Sequence, residues 1–397
     1  MMTAIDVLAD WHSEMQQWRR HLHQFPETAF EETATARFIS EKLREFGIEV
    51  YEGLGETGVV GCLSAGAGSS SIALRADIDA LFIQEQNTFD HRSKHDGKMH
   101  ACGHDGHSSM LLGAAKYLAL HRDFDGTVYF IFQPAEEGRA GAKRMLDDGL
   151  FQRFPVDWVF GMHNYHDIPA GSFAVKAGPM MASFDCFEIE LTGRAAHAAL
   201  PHLGSDAIVA AGQLINALQT IVSRTIDPLD AAVVSLTQIH GGHTWNALPE
   251  TVVLRGTFRC FKPHVQQTIG EAIARTVDGI CAANGVSGQV VFNPENPGYP
   301  VLVNDARATA IALQAARQVV GNEGVDTQPV PSMGSEDFAF MLQQVPGCYV
   351  WIGNGPSENG CLLHNPRYDF NDTILPIGAA YWVNLVQTVL AKTTKER

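Results

Sequence analysis

The sequence contains no apolar segment long enough to cross a membrane, since no window of about eighteen residues is both apolar and free of charge. It is also poor in positive charge: 28 Lys and Arg residues against 44 Asp and Glu residues give a formal net charge of −16. That balance argues against a nucleic-acid or anionic-membrane partner. The first twenty residues carry acids and no unbroken apolar core, so no signal peptide is expected. The seven cysteines are irregularly spaced, which suits a reducing compartment, and we expect a cytoplasmic protein.

The chain is long enough for more than one hydrophobic core. Its 397 residues exceed the usual size of a single core, so two domains are expected. A composition of 45% hydrophobic and 18% charged residues is typical of globular proteins and excludes a disordered or fibrous chain.

Helix-like and strand-like segments alternate in the outer parts of the chain. The predicted helices are 3–23, 31–46 and 108–120, and the predicted strands are 72–77, 127–133, 157–163 and 348–353. Most of these strands are continuous apolar runs, as in a sheet buried on both faces. The alternation predicts an α/β domain with a mostly parallel sheet. Polar residues follow several of the strands, and open α/β sheets bind ligands beyond the carboxyl ends of their strands.

The middle of the chain has a different order of elements. Strand-like segments 184–191, 232–239, 251–259 and 289–292 and helix-like segments 205–224 and 264–284 give the order β-α-β-β-α-β. This is the ferredoxin-like pattern, and Ser205 is the expected N-cap of its first helix. We therefore predict an α/β domain of residues 1–183 and 295–397 into which an α+β domain of residues 184–294 is inserted.

A short glycine-containing tract places Cys102 two residues from His104, directly before an apolar helix-like run. Thiolate and imidazole are ligands of zinc and similar metals, and the dipole of a helix start favours the thiolate form. The alternative is a buried free cysteine beside a surface histidine. The nearby His100 and His107 are expected to be loop or helix-face histidines, not ligands.

Two adjacent carboxylates, Glu136 and Glu137, follow a buried strand and a proline. One carboxylate can bind a metal while the other acts as a general base toward water. The alternative is an acid-rich helix start that stabilises the helix dipole. His163 follows another strand and His364 lies near the C-terminus; each alone is more often structural.

The candidate ligands number five: Cys102, His104, Glu137, His163 and His364. A single tetrahedral zinc ion with one open position binds fewer ligands, so the set suggests two metals that share a ligand. Asp77 and Asp79 could orient ligand histidines, or could be solvated acids at the end of a strand. In the inserted domain, His197 could donate to an oxyanion, and Asn246 and Arg259 could bind a substrate carboxylate. The alternative for His197 is a loop histidine, and the alternative for Arg259 is a surface salt bridge.

The chain resembles a known family along nearly its whole length. The motifs that carry the resemblance are RRHLHQFPETAFEE (19–32), LRADIDAL (74–81), MHACGHDGH (99–107), FQPAEEG (132–138), GMHN (161–164), GRAAHAALPH (193–202), GSEDFAF (334–340) and LHNP (363–366). They are similar to those of the amidohydrolase branch of the dinuclear aminoacylase/carboxypeptidase superfamily, and within it to hippurate hydrolases and indole-acetyl-amino-acid hydrolases.

The resemblance implies a metallopeptidase-like catalytic domain that binds two divalent metal ions, with zinc or manganese favoured and cobalt or nickel as alternatives. It implies that the inserted domain forms a homodimer interface and a lid. The implied metal ligands are Cys102, His104, Glu137, His163 and His364. The implied roles of the other residues are general base for Glu136, oxyanion donor for His197, and substrate carboxylate binding for Asn246 and Arg259.

Two positions depart from the pattern. The tract before His197 reads Arg-Ala-Ala where many relatives carry glycines, which leaves the shape of the pocket open. Asp77 stands where the wider superfamily has a histidine ligand, so neither Asp77 nor Asp79 is assigned to the metal.

The sequence therefore predicts metal-dependent hydrolysis of N-acyl amino acids to a carboxylate and a free amino acid. A dipeptidase or a biosynthetic N-acyl deacylase with the same centre is the alternative. A metal-dependent binding protein without activity is a third hypothesis, against which the complete set of candidate residues argues.

Overall fold

The structure, a computed structural model, describes residues 3–295, 297–357, 360 and 362–392. The helices are α1 (Ala4–Asp10), α2 (His12–Gln24), α3 (Thr33–Glu45), α4 (His104–Leu120), α5 (Glu136–Arg139), α6 (Gly141–Asp147), α7 (Leu150–Arg153), α8 (Ala207–Thr220), α9 (Pro263–Asn284), α10 (Ala306–Val320), α11 (Ala339–Leu342) and α12 (Leu375–Val389). The strands are β1 (Glu49–Leu54), β2 (Gly58–Ala65), β3 (Ser71–Asp77), β4 (Gly126–Gln133), β5 (Trp158–His166), β6 (Phe173–Ala174), β7 (Gly178–Met181), β8 (Asp185–Thr192), β9 (Ala196–His197), β10 (Ala232–Gly241), β11 (Ala247–Leu248), β12 (Thr251–Cys260), β13 (Ser287–Phe292), β14 (Leu302–Asn304), β15 (Val325–Asp326) and β16 (Gly347–Gly355).

The chain folds as two compact units. Unit 1 comprises Met1–Met180, Val303–Val330 and Asp337–Arg397, and unit 2 comprises Met181–Leu302 with Pro331–Glu336. The predicted insertion, 184–294, lies inside the main segment of unit 2 and omits residues at both of its ends. No sequence pattern predicted that Pro331–Glu336 belong to unit 2.

Unit 1 is built on an eight-stranded sheet in the order β1-β2-β4-β3-β5-β16-β6-β15. Its four central strands, β4, β3, β5 and β16, run parallel to one another, and β1 and β2 extend the sheet in antiparallel fashion. Every residue of β16 is buried, which requires cover on both faces of the sheet. The predicted α/β class with a mostly parallel sheet is confirmed.

Two helices of unit 1 differ from their predicted bounds. The predicted helix 3–23 is divided at Trp11, whose backbone (φ −93°, ψ 5°) is not helical, so that α1 and α2 are separate. Helix α4 begins at His104, earlier than the predicted start at residue 108. Gly103 precedes it in the left-handed conformation (φ 97°), which glycine adopts at little cost. This earlier start places both His104 and His107 in the first turn of the helix.

Unit 2 has a four-stranded antiparallel sheet in the order β10-β12-β8-β13. The chain order β8-α8-β10-β12-α9-β13 is the predicted β-α-β-β-α-β pattern. Helices α8 and α9 share a core with alternate residues of the strands; Ile189 and Leu254 of the strands pack there with Ile273 of α9. The predicted N-cap Ser205 is wrong by one residue: the side chain of Asp206 accepts the N–H groups of Ile208 and Val209, because its carboxylate faces the first turn of α8.

Within the part of the chain that the structure describes, no helix is both long and apolar enough to cross a membrane. The six cysteines in that part are all free thiols.

Candidate active site

The candidate site of unit 1 lies at the carboxyl ends of three neighbouring parallel strands. Asp77 is the last residue of β3, β4 ends at Gln133 just before Glu136, and His163 lies near the end of β5. Strand β3 lies between β4 and β5 in the sheet, so these side chains meet at one edge. The site thus forms where the order of segments predicted it.

The Cys102–Gly103–His104 turn carries two of the predicted ligands into this edge. The Sγ atom of Cys102 lies 3.4 Å from Nε2 of His163. Gly103 packs so closely that an added Cβ would lie 2.1 Å from Oδ1 of Asn164 and 2.6 Å from the hydroxyl of Tyr368. The turn therefore requires glycine both for its backbone conformation and for its packing.

The turn after β4 brings in Glu136 and Glu137. Ala135 has a left-handed backbone (φ 53°), and the backbone N–H of Glu137 donates to Oδ2 of Asp79 at 3.0 Å. Oε1 of Glu137 lies 4.0 Å from Nε2 of His104. Three ligand atoms, one from each of His104, Glu136 and Glu137, lie within 4.8 Å of one another.

His364 reaches the site from a distant part of the chain. Its backbone N–H donates to the carbonyl of Ala101 at 2.7 Å, which joins its loop to the Cys102 turn. Its Nε2 lies 3.2 Å from Oε1 of Glu137, and one ligand atom each of Cys102, Glu137 and His364 lie within 4.8 Å of one another. Its positive φ of 60° is unfavourable for a residue with a Cβ, and such strain is typical of functional sites. All five predicted ligands are thus linked by short distances.

Aspartates hold the histidines of the site in place. Nδ1 of His104 lies 2.8 Å from the carbonyl oxygen of Asp79 and 3.2 Å from its Oδ1. Nδ1 of His107 lies 2.6 Å from Oδ1 of Asp77, which also accepts Arg75 at 2.9 Å through Oδ2. A hydrogen bond at one ring nitrogen directs the other toward a ligand.

Two histidines that were expected on a loop or a helix face, His100 and His107, lie there but are buried. His100 lies outside the helices and strands and His107 lies in α4. The Nε2 atom of His107 lies 2.7 Å from Oδ1 of Asn164, a residue to which the sequence analysis gave no role. His107 follows His104 by one helical turn, and that spacing would have been a signal had the start of α4 been placed correctly.

The electrostatics of the site indicate an excess of negative charge in the metal-free chain. Burial and the carboxylates of Glu137, Glu136 and Asp77 raise the pKa of the Cys102 thiol well above its usual value. The helix start was expected to favour the thiolate, but these effects outweigh it. Burial opposes protonation of His104, yet Asp77 and Asp79 outweigh burial and raise its pKa to about 10. A bound cation would lower both pKa values and so favour the thiolate of Cys102 and the neutral imidazole of His104.

The donor set fits divalent metals. Nε2 of His104 and Oε1 of Glu137 are buried, and neither has a hydrogen bond of acceptable geometry among the described residues. Such atoms are costly to bury without a partner, and a cation between them would satisfy both. Thiol, imidazole and carboxylate groups are the ligands that zinc and related ions bind.

The three predicted site residues of unit 2 do not form one cluster. His197 lies in β9, paired with β11, and the carbonyl of Asn246 accepts the N–H of Ala198 at 2.9 Å, so these two exposed residues are neighbours. Arg259 lies near the far end of β12, where it donates to the carbonyl of Met333 at 2.8 Å. From Thr251 to Arg259 the strand covers roughly 27 Å at about 3.4 Å per residue. The segment that holds Asn246 leads into β12 at Thr251, the opposite end of the strand from Arg259.

Comparison with known proteins adds an independent line of information. The family model described as Peptidase family M20/M25/M40 matches residues 73–388. The chain is 41% identical to the hippurate hydrolase of Campylobacter jejuni, over 97% of this chain and 98% of the relative. It is 38% identical to an Arabidopsis thaliana protein named IAA-amino acid hydrolase ILR1-like 2, over 97% of this chain and 87% of the relative. The crystal structure of a Bacillus subtilis protein, YxeP, described as a dinuclear metal binding peptidase from the M20 family, superposes with a TM-score of 0.83 at 37% identity, over 96% of this chain and 99% of that chain.

Proposed function

The chain belongs to Peptidase family M20/M25/M40, and on this premise we propose that it hydrolyses the amide bond of N-acyl amino acids to a carboxylate and a free amino acid. The observation that carries the proposal is the group of thiol, imidazole and carboxylate ligand atoms at the end of the central sheet, with the carboxylate of Glu136 beside it. A metal-binding group with an adjacent carboxylate is the arrangement that metal-assisted hydrolysis requires.

Two divalent cations would be held by the predicted ligands Cys102, His104, Glu137, His163 and His364. When bound, they would polarise the amide carbonyl and make the attacking water more acidic. Zinc or manganese is favoured, because the donor set mixes a thiol with imidazole and carboxylate groups, and cobalt or nickel would be accepted by the same set.

Glu136 is the proposed general base. Its carboxylate takes a proton from the attacking water as the new C–O bond forms, and then delivers that proton to the amide nitrogen as the C–N bond breaks and the amine leaves. His197 is proposed to donate to the oxyanion of the tetrahedral state, where one donor contributes about 100- to 1000-fold in rate.

Asn246 and Arg259 are proposed to bind the carboxylate of the substrate. Arg259 lies roughly 27 Å along β12 from Thr251, and Asn246 precedes that first end of the strand, so a substrate that contacts both is proposed to take them from two chains. A homodimer formed through the inserted unit meets that requirement. The edge strand β10 supports it with the exposed side chains Val233 and Ile239, and α8 adds the exposed Ile208 and Val209.

The test begins with metal analysis of the purified protein, followed by amine release from benzoyl-, acetyl- and indole-acetyl-amino acids and from dipeptides. We expect two metals per chain and turnover of at least one class of N-acyl amino acid. Glu136→Gln is the matched variant: it should keep the metal content and lose at least about 100-fold in kcat. Turnover of dipeptides alone would replace the proposal with a dipeptidase, and binding without any turnover by fully metallated protein would replace it with a binding protein.

The compartment is proposed to be the cytoplasm. The support is the free state of the six described cysteines together with the irregular cysteine spacing. Measuring the distribution of the protein between cell fractions tests this.

A further inference from the structure

Glu32 is a fully buried carboxylate that the proposed reaction does not use. It lies at the N-terminal end of α3, in the first motif of the sequence, and its side chain is directed toward the turn after β4. Oε1 of Glu32 accepts the backbone N–H of Ala135 at 2.9 Å, and Oε2 accepts the hydroxyl of Thr57 at 2.6 Å. The contact with Thr57, itself buried, fixes the orientation of the carboxylate.

The turn that Glu32 holds is the one that carries the proposed base. Ala135 adopts a left-handed backbone (φ 53°, ψ 40°), a conformation that persists in a residue with a Cβ only where the surroundings enforce it. Glu32 holds the N–H of Ala135 on one side of Glu136, and Asp79 holds the N–H of Glu137 on the other side. Two carboxylates from different parts of the chain thus fix the backbone on both sides of Glu136.

We propose that Glu32 is a positioning residue, which holds the Ala135 turn in its left-handed form so that Glu136 and Glu137 keep the geometry that catalysis and metal binding need. The proposal rests on the function proposed above for Glu136 and Glu137. Glu32 acts as a hydrogen-bond acceptor of the right length, and its charge is not required. In agreement, burial and Asp79 raise the pKa of Glu32 to about 7, so a neutral side chain suits this position.

Three substitutions test separately whether the length or the charge of the Glu32 side chain matters. Glu32→Gln keeps the carbonyl oxygen for Ala135 and an amide group for Thr57. Glu32→Asp keeps the charge but is one methylene too short to reach the turn, and Glu32→Ala removes the acceptor. We expect Glu32→Gln to retain kcat within about 3-fold, and the other two to lose about 100-fold in kcat with KM changed little, since a displacement of about 1 Å has effects of that size.

Glu27 supplies the matched control from the same motif. Its carboxylate accepts the N–H groups of Ala34 and Thr35 at 3.1 and 2.8 Å and caps α3, and among the described residues its side chain makes no hydrogen bond to the turn of Glu136. Glu27→Ala should therefore lower the stability of the protein while the folded enzyme keeps its kcat. If Glu32 only stabilised α3, Glu32→Ala would behave in the same way, and the proposal would be overturned.

A readout that does not depend on turnover keeps this test separate from that of the proposed function. Zinc affinity, measured by competition with a chelator, should fall about 10- to 100-fold in Glu32→Ala and Glu32→Asp because Glu137 is displaced, and should be retained in Glu32→Gln. Amide hydrogen exchange of the 134–138 segment in metal-free protein should be faster in Glu32→Ala than in Glu32→Gln. A wild-type protein that turns over no substrate refutes the proposed function alone. Unchanged zinc affinity and exchange in Glu32→Ala, or a Glu32→Gln as impaired as Glu32→Ala, refutes the positioning role.

Discussion

Substituting Gly103 by alanine probes the turn between two candidate ligands, and Gly97 offers a matched control. Both glycines have a left-handed backbone, with φ of 97° and 75°. The added Cβ at residue 97 meets nothing within 4 Å, whereas at residue 103 it would lie 2.1 Å from Oδ1 of Asn164. The two substitutions share the backbone cost and differ in the steric overlap.

The expected magnitudes follow from these contacts. The left-handed backbone costs an L-residue about 1–2 kcal/mol, so Gly97→Ala should lower the free energy of unfolding by that amount. Gly103→Ala should lose about 1–3 kcal/mol more, because overpacking a buried site forces its neighbours to move. The side chain of Asn164 is held in place by two contacts. Its Oδ1 lies 2.7 Å from Nε2 of His107, and its Nδ2 donates to the hydroxyl of Tyr368 at 2.8 Å.

Urea unfolding of the metal-free proteins measures the stability difference, and metal analysis after dialysis measures the effect on the site. Gly97→Ala should keep the metal content of the wild type, and Gly103→Ala should lose metal, because its turn carries Cys102 and His104. Equal stability losses and equal metal contents in the two variants would refute the argument that this turn is fixed by its packing.

Three further predictions concern other parts of the chain. Cys102→Ala should lower metal occupancy, and unchanged metal content would count against ligation by the thiol. Burial opposes protonation of His23, but the hydrogen bonds that its ring donates to Asp105 and Glu85 outweigh burial and raise its pKa to about 9. Relative to an unfolded value of about 6.5, the charged form stabilises the fold by about 3 kcal/mol below pH 6.5, and this contribution is lost as the pH rises through 9. Urea unfolding of wild type and His23→Gln should therefore differ most near pH 6 and converge near pH 10, and a constant difference would contradict the assignment. Ile239→Glu should shift the protein from dimer to monomer in light scattering at equal concentration, and a wild-type monomer would remove that interface.

The sequence predicted most of the fold because its elements are defined by local patterns. The apolar strands that became β3, β4 and β5 are continuous runs, and α9 shows a regular apolar stripe, so each could be recognised without knowing its neighbours. The family and the hydrolase class, carried by motifs in a fixed order, are confirmed by the family match. The start of α4 was missed because a left-handed Gly103 begins the helix before its apolar run does.

What the sequence could not predict depends on contacts between distant residues. His107 became a buried residue because Asp77, in another element, accepts its Nδ1 hydrogen. The role of Glu32 depends on a contact with the backbone of Ala135, which carries no signal in the side-chain pattern. Arg259 lies at the opposite end of β12 from the segment that holds Asn246, which depends on the length of that strand. Neither propensity nor spacing along the chain identifies these distant partners.

The insertion of unit 2 has a consequence for the order in which the protein is made. During synthesis, Met181–Leu302 leaves the ribosome before β16 and the loop of His364, so the inserted unit can begin to fold while its host is still missing a central strand. The nascent host exposes four of its candidate ligands before the fifth exists. We therefore expect stable metal uptake to begin only after the loop of His364 has been made. Ribosome-bound chains stalled just after residue 302 should retain no zinc after washing, and zinc retained by such chains would show that loading starts earlier.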